Sequence, residues 1–354
     1  MEDKARDKVG ERAADKAVGA ARRKARLQNA ALALATFLLC FLVLEVILHL
    51  AGYGNLEVYQ PDPHLYWKLK PNQWCYTKIG RKPVRVNSLG TRGPEFDPAK
   101  PAGTFRILSL GDSRTFGWGL AENETYSARL GDLLQQTVGA SPRIEVINAG
   151  VNAWSFQQMQ VFLRDTALAW KPDVVLIGEA NLWTQFSEKS GPEFARKFMW
   201  RVRLKNLLRR SATYHYVIEV RLKSVYERYR TRFIPVDPRR DELFKEQQQS
   251  DPDAAFRAAI VELCQTARKA GARPVLLYLP TLDVLTGTNF SSIKRLKSEV
   301  ASELSVPLVS VEPRQPAGAA VELYLEGDPV HFNAAGNELV ARELVKAIAP
   351  LIKP

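Results

Sequence analysis

Apolar positions along the chain fall into three kinds of pattern. The first is a continuous run. After Ala30, residues 31–50 read ALALATFLLCFLVLEVILHL, with Glu45 and His49 the only strongly polar members. A helix needs about 20 apolar residues to cross a hydrocarbon core. The sequence therefore predicts a transmembrane helix over 30–50. Glu45 and His49 stand four apart, so they share a helix face and can pair. Both lie near the end of the run, where a polar side chain reaches the interface at lower cost. They read as interfacial residues with no part in function.

The second pattern is a set of short blocks: FRILSL (105–110), IEVINA (144–149), VVLIG (174–178), PVLLYL (274–279) and PLVSV (307–311). They are near-continuous in Val, Ile and Leu rather than alternating, as strands covered on both faces should be. The third is helical periodicity, found between and after these blocks in residues 123–138, 155–170, 253–272, 291–304 and 333–349. Strand alternating with helix predicts a three-layer α/β/α domain around a five-stranded parallel sheet. Residues 53–104, rich in Pro, Gly and aromatics, read as a lead-in of strands and turns packed on that domain.

One stretch breaks the rhythm. Residues 185–250 are basic, aromatic and mostly helical in period, with no core strand. They form a helical insertion between the third and fourth strands. A lid, a membrane-facing arm and a partner surface are all open readings. So is a helical pair packing Trp200, Leu204, Leu207 and Leu208 against the domain. The chain thus divides into a charged tail (1–29), an anchor (30–50), a lead-in (53–104) and an α/β domain (105–354).

Charge sharpens the first pattern. The 354 residues carry a formal net charge of +12. Such an excess suggests nucleic acid, but no nucleic-acid motif follows, and part of it sits beside the apolar run, from Lys4 to Arg26. No Lys or Arg appears after the run until Lys68. The positive-inside rule puts the N-terminus in the cytoplasm and everything after Leu50 outside. The run is longer than a signal-peptide core and no A-x-A site follows it, which favours an uncleaved signal anchor. Cys40 lies in the run. Cys75 and Cys264 fit one disulfide or two buried thiols. The three cysteines form no CxxC pair or Cys/His cluster, so the sequence offers no metal or cofactor site.

Candidate chemistry gathers at the strand ends. Gly111-Asp112-Ser113 follows the first core strand directly and precedes helix. In a parallel sheet, ligands bind beyond the carboxyl ends of the strands. A serine there needs a base before it is a useful nucleophile. Of the four histidines, His49 lies in the apolar run, His64 in the lead-in and His215 in the insertion. His331 alone lies between the last core strand and the final helix. Asp328, three residues earlier in GDPVHFNAAG, stands where its carboxylate can orient the imidazole. Arg114, next to the serine, reads as the partner of a surface carboxylate or as a contact for an anionic substrate.

These blocks resemble the SGNH (GDSL-type) serine hydrolases over roughly 105–349, and the resemblance implies a flavodoxin-like fold. LGDSRTFGWG supplies Ser113 as nucleophile, and DPVHFNAAG supplies Asp328 and His331. In VINAGVNAWS the resemblance assigns the Gly150 N–H to the oxyanion hole, beside the Ser113 N–H. The third block, usually G-x-N-D, reads IGEANLW here. Asn181 is its candidate donor, three residues after Gly178 rather than two, with Leu182 in place of the usual Asp. VNSLGTRGPEF and the N-terminal run are similar to a bacterial, membrane-attached branch of the family. The implied activity is hydrolysis of acyl or acetyl esters outside the cytoplasm, on an acylated glycan or lipid. O-acyl transfer to an envelope polysaccharide and a non-enzymatic scaffold on the same fold are the alternatives. Substrate identity and oligomeric state stay open.

Overall fold

The computed structural model describes residues 2–55, 59–77, 80–180, 203–204, 206–222, 225, 252–286, 292–312 and 320–352. Helix α1 runs from Glu2 to Leu50 without a break, so the charged tail and the apolar run share one rod, about 74 Å long. Within it Ala21–Leu50 is long and apolar enough to cross a membrane, a property that anchors share with signal sequences.

The lead-in makes two antiparallel pairs. β1 (Tyr59–Asp62) pairs with β2 (Tyr66–Leu69), and β3 (Gln73–Tyr76) with β4 (Pro83–Val86). The core strands are β5 (Thr104–Gly111), β6 (Arg143–Gly150), β7 (Val174–Ile177), β8 (Arg273–Tyr278) and β9 (Leu308–Ser310). They pair in parallel in the order β6-β5-β7-β8-β9. Each apolar block of the sequence is one of these strands.

The lack of alternation has its reason in the two covered faces. Phe105, Ile107, Val174, Leu176, Val275 and Leu277 pack towards α3 (Tyr126–Val138) and α8 (Ala334–Ile352). Leu108, Leu110, Val175, Ile177 and Leu276 pack on the other face towards α4 (Phe156–Asp165), α6 (Pro252–Lys269) and α7 (Ser292–Leu304). Removing one such side chain, as in Leu108→Ala, is expected to cost about 2–5 kcal/mol.

Cys75 and Cys264 are both buried free thiols, and burial pushes the Cys264 thiol up to about 12. Of the two readings open for them, the unbridged one describes the fold. In the insertion, Ser211 caps the short helix α5 (Ala212–Tyr214), its hydroxyl accepting the Tyr214 N–H at 3.1 Å. A π-helical stretch, His215–Arg221, continues it. Ala212 and His215 are buried, but Leu204, Leu207 and Leu208 are exposed. The packing expected of those three leucines is corrected accordingly, and Trp200 lies outside the described residues.

Candidate active site

Ser113 opens α2 (Ser113–Phe116), two residues beyond the carboxyl end of β5. The chain turns this sharply because of two glycines. A Cβ on Gly111 would meet Thr115 Oγ1 at 1.8 Å, and one on Gly178 would meet it at 2.5 Å. Asp112 caps the helix, its Oδ1 accepting the Arg114 N–H at 2.9 Å. Gly117, in the left-handed region at φ 85°, ends it and returns its N–H to the Ser113 carbonyl at 3.0 Å.

His331 reaches this turn from the segment before α8. Its Nε2 lies 2.7 Å from Ser113 Oγ, and its Nδ1 lies 2.7 Å from Asp328 Oδ2. Asp328 Oδ1 accepts the N–H groups of Val330 at 2.9 Å and His331 at 3.2 Å. Burial works against charge on Asp328, but the imidazole and these two N–H groups outweigh it and hold the carboxyl below its ordinary range. Ser113, His331 and Asp328 therefore form one continuous hydrogen-bonded line. A hydroxyl bonded to an imidazole that is itself oriented by a carboxylate can lose its proton as it attacks.

The three residues proposed for an oxyanion hole fare differently. The Ser113 N–H has no acceptor among the described residues. The Gly150 N–H donates to Asn148 Oδ1 at 3.0 Å, so it is engaged at its own strand end. Gly150 also lets β6 close on α2, since a Cβ there would lie 2.2 Å from the Phe116 nitrogen. Asn181 lies outside the described residues.

The model of the GDSL-like lipase/acylhydrolase family matches residues 109–339, well over half of the chain. The chain belongs to this family. It is accordingly an ester hydrolase. No curated protein matches it. Solved structures similar to it include TesA, at 16% identity and a TM-score of 0.42, covering 70% of this chain and 99% of that one. The psychrotrophic esterase EstA from Pseudoalteromonas sp. is 15% identical with a TM-score of 0.41, covering 70% and 97%. An acetylxylan esterase from Geobacillus stearothermophilus is 15% identical with a TM-score of 0.41, covering 69% and 94%.

The hydrolase braces its nucleophile turn with cations, and the motif resemblance assigns none of them that part. Arg92, buried in the lead-in, donates to the carbonyls of Phe116 (2.6 Å), Gly117 (2.7 Å) and Leu120 (2.6 Å). Asn148 Nδ2 donates to the Thr115 carbonyl at 2.9 Å. Arg114 pairs with Asp112 at 2.8 Å and stands 3.9 Å from Glu179. Both carboxylates are buried, so the surface partner expected for Arg114 is corrected to an internal one. Beneath them Lys297, fully buried, donates to Glu179 Oε1 (2.9 Å) and to the carbonyls of Gly178 (3.0 Å) and Leu277 (2.5 Å). Burial pushes the Lys297 ammonium below its ordinary value, with Glu179 working against the shift. Burial also opposes charge on Asp112, but Arg114 overcomes it and holds that carboxyl below the ordinary range.

These four charges alternate in sign under Ser113 and bind β5, β7 and β8 at one edge. Glu179 carries both halves of the link: its carbonyl accepts the Asp112 N–H at 2.8 Å, and its carboxylate accepts the Leu279 N–H at 2.9 Å. Sequence reasoning missed Glu179, Lys297 and Arg92 as contributors to this edge. The only signal available was charge where an apolar block or its covering helix should have none, as in Lys297 between Leu296 and Val300.

Proposed function

We propose that this hydrolase is a serine esterase, held in the cytoplasmic membrane by residues 30–50, that cleaves acyl or acetyl esters outside the cytoplasm. The observation that carries the chemistry is the line from Ser113 Oγ through His331 to Asp328, 2.7 Å at each step. His331 Nε2 takes the hydroxyl proton as Ser113 Oγ bonds to the ester carbonyl carbon. Asp328 stabilises the imidazolium that results. The carbonyl oxygen becomes an oxyanion, received by the Ser113 N–H. Gly150 and Asn181 are the further donors in this reading, and Gly150 serves once its N–H leaves Asn148. His331 then protonates the departing alcohol, and the acyl group stays on Ser113. Water repeats the cycle: it gives a proton to His331, attacks the acyl carbon, and releases the acid as the proton returns to Ser113.

The compartment rests on charge. Basic residues crowd the segment before the apolar run, and none follows it until Lys68, as for a span with its N-terminus inside.

The test is hydrolysis of a short p-nitrophenyl ester by the full chain. Ser113→Ala is expected to lower kcat/KM by about a thousandfold or more and to abolish labelling by a fluorophosphonate. An unchanged rate in that variant overturns the assignment. Protease added outside intact spheroplasts should remove the domain while sparing the N-terminal tail; protection of the domain overturns the topology.

A further inference from the structure

Glu45 is costly where it stands, a carboxylate inside an apolar run. Its oxygens accept the N–H groups of Ala212 (2.7 Å) and Thr213 (3.0 Å) and the hydroxyl of Ser211 (3.0 Å). His49 Nε2 lies 3.2 Å from the same carboxylate. Nearby, the Gly54 N–H donates to His215 Nδ1 at 3.0 Å, and the Tyr53 ring meets His215 and Tyr216 edge-on. The insertion is thus fastened to the end of α1. Glu45 lies five residues from Leu50, about 7.5 Å along the helix, so the fastening sits at the level where the apolar run ends. The pairing expected of Glu45 and His49 is present, and these contacts add a structural role for Glu45.

Just before Ser211 the chain carries Arg203, Asn206, Leu207 and Arg210. With Gln60, Pro61 and Lys70 of the β1–β2 hairpin they line an open groove of about 380 Å³. Asn206 donates to the Tyr59 carbonyl and holds the two walls together. Among the described residues that line it the groove has three cations and no carboxylate. Among the described residues none of Lys70, Arg203 and Arg210 is paired with an acid. The contrast within the hairpin is direct, because Lys68 is paired with Asp62 at 2.8 Å. Beside the groove Leu204, Leu207 and Leu208 are exposed, and beyond Ser211 so are Val217, Ile218 and Leu222. Basic residues interleaved with exposed aliphatic ones suit the boundary between headgroups and acyl chains.

We propose that this groove binds the anionic headgroup of a phospholipid, taken from the bilayer that α1 enters, with Lys70, Arg203 and Arg210 around its phosphate. The proposal rests on the anchor reading given above. The lipid is favoured over a free phosphate by the exposed leucines and by the fastening of Ser211 to the end of the apolar run. The same hairpin carries Trp67, whose indole donates to the Asn152 carbonyl at 3.1 Å in the loop after β6. A bound headgroup would therefore steady a hairpin that touches the rim of the active site.

Hydrogen exchange on the full chain in nanodiscs tests this. Nanodiscs of phosphatidylcholine alone are compared with nanodiscs containing phosphatidylglycerol. Residues 31–47 should be protected in both. Amides at 206–214 should exchange at least about fivefold more slowly in the anionic discs, the bias expected of even one basic side chain near such a surface. The triple variant Lys70→Gln, Arg203→Gln, Arg210→Gln should lose that difference, while Arg342→Gln, on the exposed side of α8, should keep it. The conservative Lys70→Arg variant should keep it too, which separates loss of charge from loss of fold.

Exchange of 31–47 in both discs overturns the anchor reading and this proposal with it. Protection of 31–47 with equal rates at 206–214 in the two lipids overturns the headgroup site alone. If inorganic phosphate slows 206–214 equally in phosphatidylcholine discs, the groove is a site for a soluble anion and the lipid assignment falls.

Discussion

The two turns that meet above the sheet are built in opposite ways. The nucleophile turn, from Gly111 to Leu120, is held from outside by Arg92 on one side, Asn148 on another, and the Asp112–Arg114–Glu179–Lys297 charges beneath. The histidine turn, from Asp328 to His331, takes its side-chain bracing from within, while its backbone is tied outward where the Pro329 carbonyl accepts the Leu282 N–H at 2.7 Å and the His331 carbonyl accepts the Leu325 N–H at 2.9 Å. One oxygen of Asp328 takes two backbone N–H groups of its own turn, and the other takes the imidazole. One turn takes its side-chain bracing from residues scattered from position 92 to 297; the other takes its own from Asp328, within four consecutive residues. Substitutions in the first should couple activity to stability, and substitutions in the second should separate them.

The largest effect is expected from Asp328→Asn. An amide oxygen still accepts the Val330 and His331 N–H groups, so the turn should keep its shape. The imidazole loses the carboxylate that fixes its tautomer and supports its charge, and kcat should fall by about ten-thousandfold. The thermal unfolding midpoint of the same sample should fall only a little, by the contribution of the depressed Asp328 carboxyl. A large drop in Tm would show that the bracing of the histidine turn is not self-contained, and the contrast between the turns would fail.

Glu179→Ala is the corresponding cut in the nucleophile turn. It leaves Lys297 buried without its acid, a loss of about 3–5 kcal/mol. For a domain of this size that is roughly 6–20 °C in Tm. The double variant Glu179→Leu, Lys297→Met should recover much of the loss, because both charges leave together. If the double is as unstable as the single, the pairing is not what holds the edge. Arg92→Lys comes next. It keeps a cation but cannot reach three carbonyls at once, and a cost of about 2 kcal/mol is expected. Here kcat should fall with stability, by up to about tenfold, because the carbonyls released belong to the turn that presents Ser113.

The same contrast explains what could be read from the chain. The core strands were legible because two covered faces leave near-continuous apolar blocks, and FRILSL needs no partner to be recognised. Ser113, Asp328 and His331 were legible because each lies in a short local motif at a strand or helix end. Arg92 was hidden in a turn-rich stretch where an arginine looks solvated. Lys297 was hidden on a helix whose buried face is otherwise apolar. Arg114 was visible but misplaced: its main partner Asp112 stands two residues away, and it is the pairing of β5 with β7 that buries this pair and brings Glu179 alongside. Glu45 was visible as an anomaly with His49 as its near partner, yet its partners in the insertion lie more than 160 residues away in sequence. Properties that depend on pairing distant segments leave little trace in local composition.

The smallest expected effect concerns acid. Asp112 and Asp328 are both held below the ordinary carboxyl range, the first by Arg114 and the second by His331 and its own turn. A carboxyl whose folded value is depressed adds stability above its unfolded value, near about 4. That contribution is lost as pH falls through the lower, folded value, because the unfolded chain binds protons first. Urea unfolding should therefore show stability from these groups level between pH 7 and 5 and declining below about 4. Asp112→Asn and Asp328→Asn should each flatten the decline. Both should lose the depressed carboxyl's contribution at neutral pH, but Asp112→Asn also leaves Arg114 with Glu179 at 3.9 Å as its remaining carboxylate, and so should cost more than Asp328→Asn. Equal loss at pH 7 in both variants would mean that the two turns are supported alike. Curves parallel to the parent's from pH 5 to 3 would mean that neither carboxyl gains its proton there.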